Sequence, residues 1–321
     1  MAALATTSVL ALSACGAEAE TGSADFPEET IEIIIGFDAG GSTDVNTRAL
    51  AAAAEETCDT NIIISNQPGG SGAIALDAVR RAEPDGYTLG TTPTEISALE
   101  HMGLSDVTYE DFAPVLRFIL DPHGFFVRPD SPYQSMADVI EAAESGERIR
   151  IATSGPASPY AITFQDVART AGVSGQLVNV PFTGDAEAIP AVLGGEVDVL
   201  VSNASNVIGQ VESGDLLPLA VAGEERIDAL PDTPTLQEEG IDVEGGSIYG
   251  LAAPADTPDE VVDILDECFG KAYASEEFQE FLESQNSNGS YLDADDFTGY
   301  LKSEYERYGG LLDELGLSED S

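Results

Sequence analysis

A glycine-rich turn near the start of the chain comes closest to a known chemistry. Gly36 and Gly41 are separated by four residues and a Ser-Thr pair follows, which nearly matches the phosphate-binding pattern G-x-x-x-x-G-K-[ST]. Ser42 stands where that pattern requires lysine, and Asp38 and Asp44 flank the turn. The turn is therefore a poor site for a nucleotide triphosphate, and a different anion has to be considered.

The donors that remain in this turn suit a smaller anion. We expect the backbone amides of Gly40, Gly41 and Ser42 to lie at a helix N-terminus, where the helix dipole favours negative charge. A hydroxyl from Ser42 or Thr43 adds a donor, and this set fits a carboxylate better than a phosphate. The alternative is that Ser42 or Thr43 only caps the helix and that Asp44 only complements its dipole.

Strands and helices alternate along most of the chain, which indicates how such turns are positioned. A strand, a loop and a helix follow one another in residues 31–56, and the same order recurs in residues 61–83, 85–100 and 148–172. This alternation predicts βαβ units with parallel strands, in two similar halves rather than one continuous sheet. Arg48 falls one turn into the first helix, where we expect it to pair with a surface acid.

Ligands of open α/β sheets bind outside the carboxyl ends of the strands, where loops lead into helices. Four loops meet this description, at residues 37–44, 91–94, 154–158 and 182–185. If the two halves face each other, all four loops line one cleft, as in a two-lobed solute receptor that closes by a hinge. The loop at 154–158, taken alone, is equally consistent with a plain turn and a helix cap.

The charge balance separates this chain from most globular proteins. It contains 59 acidic and 12 basic residues, a formal net charge of −47, while 43% of its residues are hydrophobic. Disorder and a folded protein that works in high salt both explain this excess, and the regular strand and helix patterns favour the folded protein. No basic stripe is present, so the sequence excludes nucleic acid as a partner.

The N-terminus is typical of an exported lipoprotein. Residues 1–14 are apolar and predict a signal peptide, and Leu12 to Gly16 resembles a lipobox in which Cys15 is lipidated. Residues 15–25 then form a flexible tether that carries the membrane anchor. The chain departs from the usual signal-peptide pattern in that no Lys or Arg precedes the apolar run. The alternative is that the N-terminal segment is disordered and that Cys15 is incidental.

Cys58 and Cys268 are the remaining cysteines. Export places them in an oxidising compartment, where they form a disulfide if the fold brings them together. The alternative is that each is a small core residue, since spacing alone does not establish proximity.

Catalytic patterns are scarce in this sequence. The only histidines are His101 and His123, and the chain has no HExxH, CxxC or G-x-S-x-G motif. Acidic pairs are too numerous to single out a glycosidase-type pair. We therefore predict a protein that is not an enzyme and that has no metal site and no cofactor.

Seven stretches together resemble the substrate-binding proteins of tripartite tricarboxylate transporters, also called the Bug receptors. In order along the chain, these stretches are IEIIIGFDAGGSTDVNTRALA, IIISNQPGGSGAIALDAV, PDGYTLGTT, IRIATSGPAS, VPFTGDAEAIPAVLGGEVDVLVSN, LPLAVAGEERIDALPDTPTLQEEG and YGLAAPADTP. The resemblance covers most of residues 26–317. It implies an α/β, periplasmic-binding-protein-like (type II) fold, with a ligand cleft between a first lobe (26–126), a second lobe (127–248) and a return to the first lobe with C-terminal helices (249–321).

The resemblance also implies what the protein binds and where. The ligand is a small organic carboxylate, and a monomeric, extracytoplasmic receptor delivers it to a membrane permease of one large and one small subunit. A ligand-presenting sensory module is the alternative. The implied ligand-binding residues are Phe37, Ala39, Gly40, Gly41, Ser42, Asp44, Thr92, Thr94, Ser154, Gly155, Ser158, Phe182, Thr183, Gly184, Asp198 and Ser202.

The chain departs from the family pattern at four positions. Gly36 replaces a usual proline, and Ile248 stands where an aromatic residue usually precedes Tyr249. Thr183 and Asp185 stand where the family often has a basic residue and a small one. These last two changes lower the positive potential near the cleft and argue against a highly charged tricarboxylate.

Overall fold

The computed structural model describes residues 26–154 and 158–319, in which strands and helices alternate. The strands are β1 (Ile31–Ile35), β2 (Ile62–Asn66), β3 (Thr88–Pro93), β4 (Phe112–Val127), β5 (Ile149–Thr153), β6 (Leu177–Pro181), β7 (Val199–Asn203), β8 (Leu217–Val221), β9 (Gly246–Pro254) and β10 (Gly289–Leu292). The helices are α1 (Ser42–Thr57), α2 (Ala73–Arg80), α3 (Met136–Glu144), α4 (Pro159–Thr170), α5 (Asp185–Leu193), α6 (Ala204–Glu212), α7 (Asp259–Tyr273), α8 (Glu276–Gln285) and α9 (Ala294–Leu315). The predictions for residues 1–25, including Cys15, and for Gly155 lie outside the described residues.

Local sequence signals set several helix boundaries. The Ser158 hydroxyl accepts a hydrogen bond of 3.2 Å from the amide of Ala161 and so caps α4, and Pro159 occupies the first helical position. Asp293 caps α9 in the same way, and Gly316 ends that helix in a left-handed conformation that glycine adopts without strain. In the described part of the chain, no helix is both long enough and apolar enough to span a membrane.

Each half of the molecule is built on three parallel strands. In the first half β1 lies between β2 and β3, and in the second half β5 lies between β6 and β7. Antiparallel neighbours complete each half, with β9 beside β3 and β4 beside β7. The parallel trios agree with the βαβ units that the sequence predicts.

Strand β4 passes from one half to the other. Its first part, Phe112 to Pro122, pairs with β9, whereas its last residues, from His123 onward, pair with β7 and β8. The backbone amide of His123 donates to the carbonyl of Gly245, 3.0 Å away, at the point where the chain returns to β9. The expectation of two separate sheets was wrong, because this 16-residue strand joins both halves into one ten-stranded sheet. Eight strands follow one path through β4, and β8 and β10 pair with β4 beside that path.

Separate hydrophobic cores define the two halves as lobes. The core of the first lobe surrounds Phe118, and that of the second lobe surrounds Phe125 on the far side of the crossing point. In the first core, Cys58 and Cys268 form a disulfide with a Cα–Cα distance of 5.0 Å, which ties the end of α1 to α7. No comparable covalent tie links the lobes among the described residues.

The C-terminal helices lie mainly on the first lobe. Helix α7 packs against α1 and β4, and α9 packs against β4. Helix α9 also contacts the second lobe, where Ile162 of α4 packs with Tyr308 and Leu312. Arg169 Nη1 and Glu314 Oε2 form an ion pair of 2.9 Å between the same two helices. The lobes are therefore in contact behind the crossing strands as well as through them.

Candidate functional site: a cleft between the lobes

A cavity of about 300 Å³ lies between the lobes, at the carboxyl ends of the parallel strands. All four loops that the sequence singles out contribute to its wall. The lining residues are Phe37, Asp38, Gly41, Ser42, Thr43, Pro93, Thr94, Glu95, Ser154, Pro159, Tyr160, Gly184, Asp185, Ser247, Ile248 and Tyr249. This position is the one expected for a ligand of an open α/β sheet.

The predicted residues divide into two groups by position. Those that line the cavity are Phe37, Gly41, Ser42, Thr94, Ser154 and Gly184. Those that are described but do not line it are Ala39, Gly40, Asp44, Thr92, Ser158, Phe182, Thr183, Asp198 and Ser202. The loops were thus located more accurately than the individual residues within them.

Asp44 holds the first turn in shape and does not face the cavity. Its carboxylate accepts hydrogen bonds from the amide of Gly40 at 2.8 Å, from Arg48 Nε at 2.9 Å and from Asn66 Nδ2 at 2.9 Å. The bond from Arg48, together with these other donors, lowers the pKa of Asp44 to about 2. The amide of Gly40, which was expected to bind ligand, therefore donates to Asp44 instead. The acid that pairs with Arg48 is buried, whereas a surface acid was expected.

The next donors of the turn lie at the cleft, because Ser42 and Thr43 line its cavity. The amides of Ser42 and Thr43 open α1 and have no acceptor within the helix. The Ser42 hydroxyl donates to Asn206 Oδ1 at 3.1 Å, and Asn206 lies on α6 of the second lobe. This hydrogen bond joins the two lobes beside the cavity.

Three helix N-termini reach the same cavity. Helix α1 arrives at Ser42, α4 arrives at Pro159 and Tyr160, and α5 arrives at Gly184 and Asp185. Each N-terminus carries roughly half a positive charge. The cavity therefore has a backbone-derived positive potential, of the kind that binds anions.

Thr94 supports the crossing strand rather than presenting a free hydroxyl. Its Oγ1 accepts from the amide of Ile248 at 2.9 Å and donates to the carbonyl of Gly246 at 3.3 Å. Thr92 is buried within β3, and its Oγ1 has no partner among the described residues. Thr94 thus connects the first lobe's loop to the start of β9.

The predicted residues of the second lobe have several different roles. Ser202 donates to Asp185 Oδ2 at 2.8 Å and so positions a side chain that lines the cavity. Phe182 packs against a core cluster of its own lobe, and Thr183 is exposed. Asp198 precedes β7 at the end opposite Ser202. It pairs there with Arg150 at 2.6 Å, and so it does not belong to the cleft.

Several lining residues escaped the sequence-based prediction. Tyr160 lies two positions after Ser158, and Glu95 lies one position after Thr94, so each is just beyond a predicted loop residue. Ser247 and Tyr249 come from β9, which no local signal connects with the loops. Asp185 was placed in a loop at the cleft and recognised as a departure from the family pattern, but it was not among the predicted ligand-binding residues.

Carboxyl groups dominate the side-chain charge of the cavity. Asp38, Glu95 and Asp185 line it, and none of its described lining residues is Lys, Arg or His. Burial raises the pKa of Glu95 to about 7 and raises that of Asp185, although hydrogen bonds to Asp185 oppose the shift. The buried Asp121, which is bonded to Ser205 at the crossing of β4, also has a pKa of about 7 because of burial.

A buried network lies under the cavity at the crossing point. His123 Nδ1 is 2.8 Å from Thr163 Oγ1, and His123 Nε2 is 3.3 Å from Ser247 Oγ. Ser247 donates its proton to Asn203 Oδ1 at 2.9 Å, so Nε2 carries the imidazole proton and donates to Ser247. Burial lowers the pKa of His123 to about 3, which keeps the ring neutral.

The histidines of the described chain are held in hydrogen bonds outside the cavity wall. Both ring nitrogens of His123 have partners, and His101 Nε2 contacts the Tyr305 carbonyl at 3.0 Å on α9. The described residues contain no group of three or more His, Cys, Asp or Glu side chains that could hold a metal ion. Apart from its carboxyl groups, the cavity wall consists of amides, hydroxyls, aromatic rings and the aliphatic side chains of Pro93, Pro159 and Ile248.

Solved structures of solute-binding proteins share this architecture. The protein is similar to a TctC solute-binding protein from Polaromonas, with a TM-score of 0.81, 32% sequence identity and coverage of 90% of this chain and 100% of that chain. It is also similar to R. palustris Rpa4515 with adipate, with a TM-score of 0.79, 26% identity and coverage of 92% and 99%. The two-lobed α/β fold predicted from the sequence is confirmed.

Sequence comparisons point to the same family. The chain is 26% identical over 315 residues to the protein BugT of Bordetella pertussis, covering 95% of each chain. Residues 46–317 match the model of the tripartite tricarboxylate transporter family receptor. The chain therefore belongs to the TctC, or Bug, family of extracytoplasmic solute-binding receptors.

Proposed function

We propose that the cleft binds a small organic carboxylate and that the receptor delivers it to a membrane permease of one large and one small subunit. The observation that carries this proposal is the convergence of three helix N-termini on one cavity between the lobes. Three N-termini supply roughly one and a half positive charges without any basic side chain. A relative of the same fold and family, Rpa4515, was solved with adipate, which supports a carboxylate as ligand.

Binding is tested on the chain from residue 17 onward, folded in molar salt. The melting temperature is measured against a panel of mono- and dicarboxylic acids and nucleotides. A ligand present at about a hundred times its dissociation constant stabilises the folded state by about 2.7 kcal/mol. We expect a saturable shift with one or a few acids, whereas a response to nucleotides alone would contradict the proposal.

A pair of variants localises the binding. Ser42→Asp places a negative charge at the N-terminus of α1 and removes the hydroxyl that reaches Asn206, so we expect the shift to disappear. Ser284→Asp introduces the same change at an exposed position of α8 and should leave the shift intact. Equal shifts in both variants would place the ligand elsewhere.

Gene neighbourhood and cellular uptake measurements distinguish a transport receptor from a sensory module. A permease gene pair adjacent to the receptor gene, and ligand uptake that is lost when the receptor gene is deleted, support delivery to a transporter. A neighbouring histidine kinase or cyclase gene, with a ligand-dependent response but unchanged uptake, supports the sensory alternative.

The proposed receptor is a monomer held on the outer face of the cytoplasmic membrane by a lipid on Cys15. The lipobox-like residues around Cys15 support the anchor. Cys15→Ala should release the receptor from the membrane fraction, and mass spectrometry of the wild-type N-terminal peptide should detect the lipid. Light scattering in molar salt measures the oligomeric state.

A further inference from the structure

We propose that the ligand is an amino carboxylate, whose protonated amino group binds between Asp185 and Glu95 while its carboxylate binds at the N-terminus of α1. This inference rests on the proposed function, because it concerns the same cleft. It specifies which carboxylates the receptor accepts and assigns a role to the acidic side chains of the cavity wall.

The first observation is an incompletely paired carboxylate. Asp185 Oδ2 accepts two hydrogen bonds, from Ser202 Oγ at 2.8 Å and from Asn206 Nδ2 at 2.7 Å. Asp185 Oδ1 is also buried but has no hydrogen-bond partner among the described residues. Such a group is costly for the free protein and is satisfied by a donor that the ligand supplies.

Asp185 does not simply complement the dipole of its own helix. It occupies the first position of α5, where acidic residues are common and usually face solvent. Here its side chain turns toward β7 and α6 of the same lobe and lines the cavity. Asp185 therefore forms part of the cavity wall, with Oδ1 left unpaired beneath it.

A second carboxylate approaches from the other lobe. Glu95 lines the cavity on the side of β3, is partly buried, and bonds to no other side chain among the described residues. Glu95 and Asp185 line the same cavity as the Tyr249 phenol. Burial raises the pKa of Tyr249, and the charges of Asp121, Glu95 and Asp185 add to that shift. An ammonium group between Glu95 and Asp185 would neutralise charge on both lobes at once.

Aromatic rings complete an environment suited to an ammonium group. Phe37, Tyr160 and Tyr249 line the same cavity, and aromatic faces attract cations. A dicarboxylate without a cation would instead meet three carboxyl groups, those of Asp38, Glu95 and Asp185. An amino carboxylate fits both parts of the site, because its carboxylate binds the amides at the helix N-terminus and its ammonium group binds the carboxyl groups.

Matched pairs of acids test the inference. Affinities are measured by calorimetry in molar salt for propionate and alanine, succinate and aspartate, and adipate and 2-aminoadipate. Within at least one pair we expect the amino member to bind tenfold or more tightly than the plain acid. Trimethylation of its nitrogen should reduce that affinity, because a quaternary ammonium has no N–H to donate to Asp185 Oδ1.

Variants and pH identify the groups responsible. Asp185→Asn should remove most of the tenfold preference, whereas Asp256→Asn, at an exposed position, should preserve it. Affinity for the amino member should fall as the pH drops below about 7, because Glu95, whose pKa burial raises to about 7, becomes protonated. Burial also raises the pKa of Asp185, which acts in the same direction. Binding that strengthens at low pH would instead indicate protonated acids that donate to a plain carboxylate, and it would overturn the inference.

The outcomes separate this inference from the proposed function. Tight binding of plain acids alone, with Asp185→Asn neutral or favourable, overturns the inference and leaves the carboxylate receptor standing. Absence of binding by both members of every pair, while other compounds bind, overturns both.

Discussion

Ser42 of the first lobe donates a hydrogen bond of 3.1 Å to Asn206 of the second lobe, directly across the cleft. The Nδ2 atom of Asn206 donates a second hydrogen bond, of 2.7 Å, to Asp185 Oδ2. The opening turn of the first lobe is therefore connected with the acid of the second lobe through a single amide. Closure of the cleft and the shape of the ligand site depend on the same residue.

Asn206→Ala should weaken ligand binding about 2- to 12-fold. It removes a cross-cleft hydrogen bond whose net contribution is about 0.5–1.5 kcal/mol, and it leaves Asp185 with one donor fewer. Calorimetry with the best ligand measures the change, and small-angle scattering tests whether the unliganded variant is more open. Asn61→Ala, at an exposed position outside the cleft, is the control, and equal affinities for both variants would contradict this role.

Asp44→Asn should flatten the dependence of stability on acid pH. The folded-state pKa of Asp44 is lowered from 3.8 to about 2, so its ionised form contributes stability that is complete above about pH 4 and is lost as the pH falls toward 2. Because the carboxylate accepts three hydrogen bonds, the variant should lose about 1.5–3 kcal/mol near pH 7.

Urea unfolding of both proteins between about pH 2 and pH 7 checks the Asp44 prediction. The wild-type free energy of unfolding should decline more steeply than that of Asp44→Asn in the acid range. Asp256→Asn serves as an exposed control that keeps the wild-type slope. Identical slopes for all three proteins would mean that Asp44 does not stabilise the turn.

Removal of the disulfide should destabilise the first lobe. The Cys58–Cys268 bond closes a loop with a sequence separation of 210, and loss of a native disulfide typically costs about 2–5 kcal/mol. Both sulfurs belong to the hydrophobic core, so the double variant Cys58→Ala, Cys268→Ala is preferable to serine. A reductant should lower the melting temperature of the wild type and leave that of the double variant unchanged. An unchanged melting temperature of the wild type in reductant would show that the disulfide does not stabilise the protein.

Gly245→Ala should perturb the crossing point. A Cβ atom there would lie 2.2 Å from Thr163 Oγ1, which is the partner of His123 Nδ1. The crowding should cost about 1–3 kcal/mol of stability. Gly209→Ala, in the exposed face of α6 with open space around it, should instead be neutral or stabilise by about 0.5–1 kcal/mol. Thermal melts of the two variants side by side test the contrast.

Stability should increase with salt concentration. At a net charge of −47 the folded chain repels itself, and the Debye length falls from about 10 Å at 0.1 M to about 3 Å at 1 M. The melting temperature is followed in increasing NaCl, with sucrose at matched osmolality as the control for solute exclusion. A melting temperature that stays flat or falls would show that charge repulsion does not limit folding.

Local features of the fold were predictable because their causes are local. The β-branched run of β1, the glycine turn and the Ser158 cap each involve residues within a few positions of one another. The four loops could be placed at one cleft because parallel strands present their carboxyl ends together. The family resemblance then supplied the overall two-lobed arrangement.

The side chains of the cleft were harder to predict because their partners are distant in sequence. The hydrogen bond between Ser42 and Asn206 spans 164 positions, and Tyr249 reaches the cavity only because β9 crosses beside β3. Glu95 and Asp185 resemble ordinary acids in a chain that has 59 of them. Only packing distinguishes an acid that lines a cavity from one that faces water.

The continuity of β4 has a consequence for how the lobes move. The segment that joins them is a paired ribbon of backbone hydrogen bonds, not a pair of slack linkers. We therefore expect opening to twist that ribbon. The lobes should then rotate about this ribbon rather than move independently, so that closure orders few additional backbone torsions.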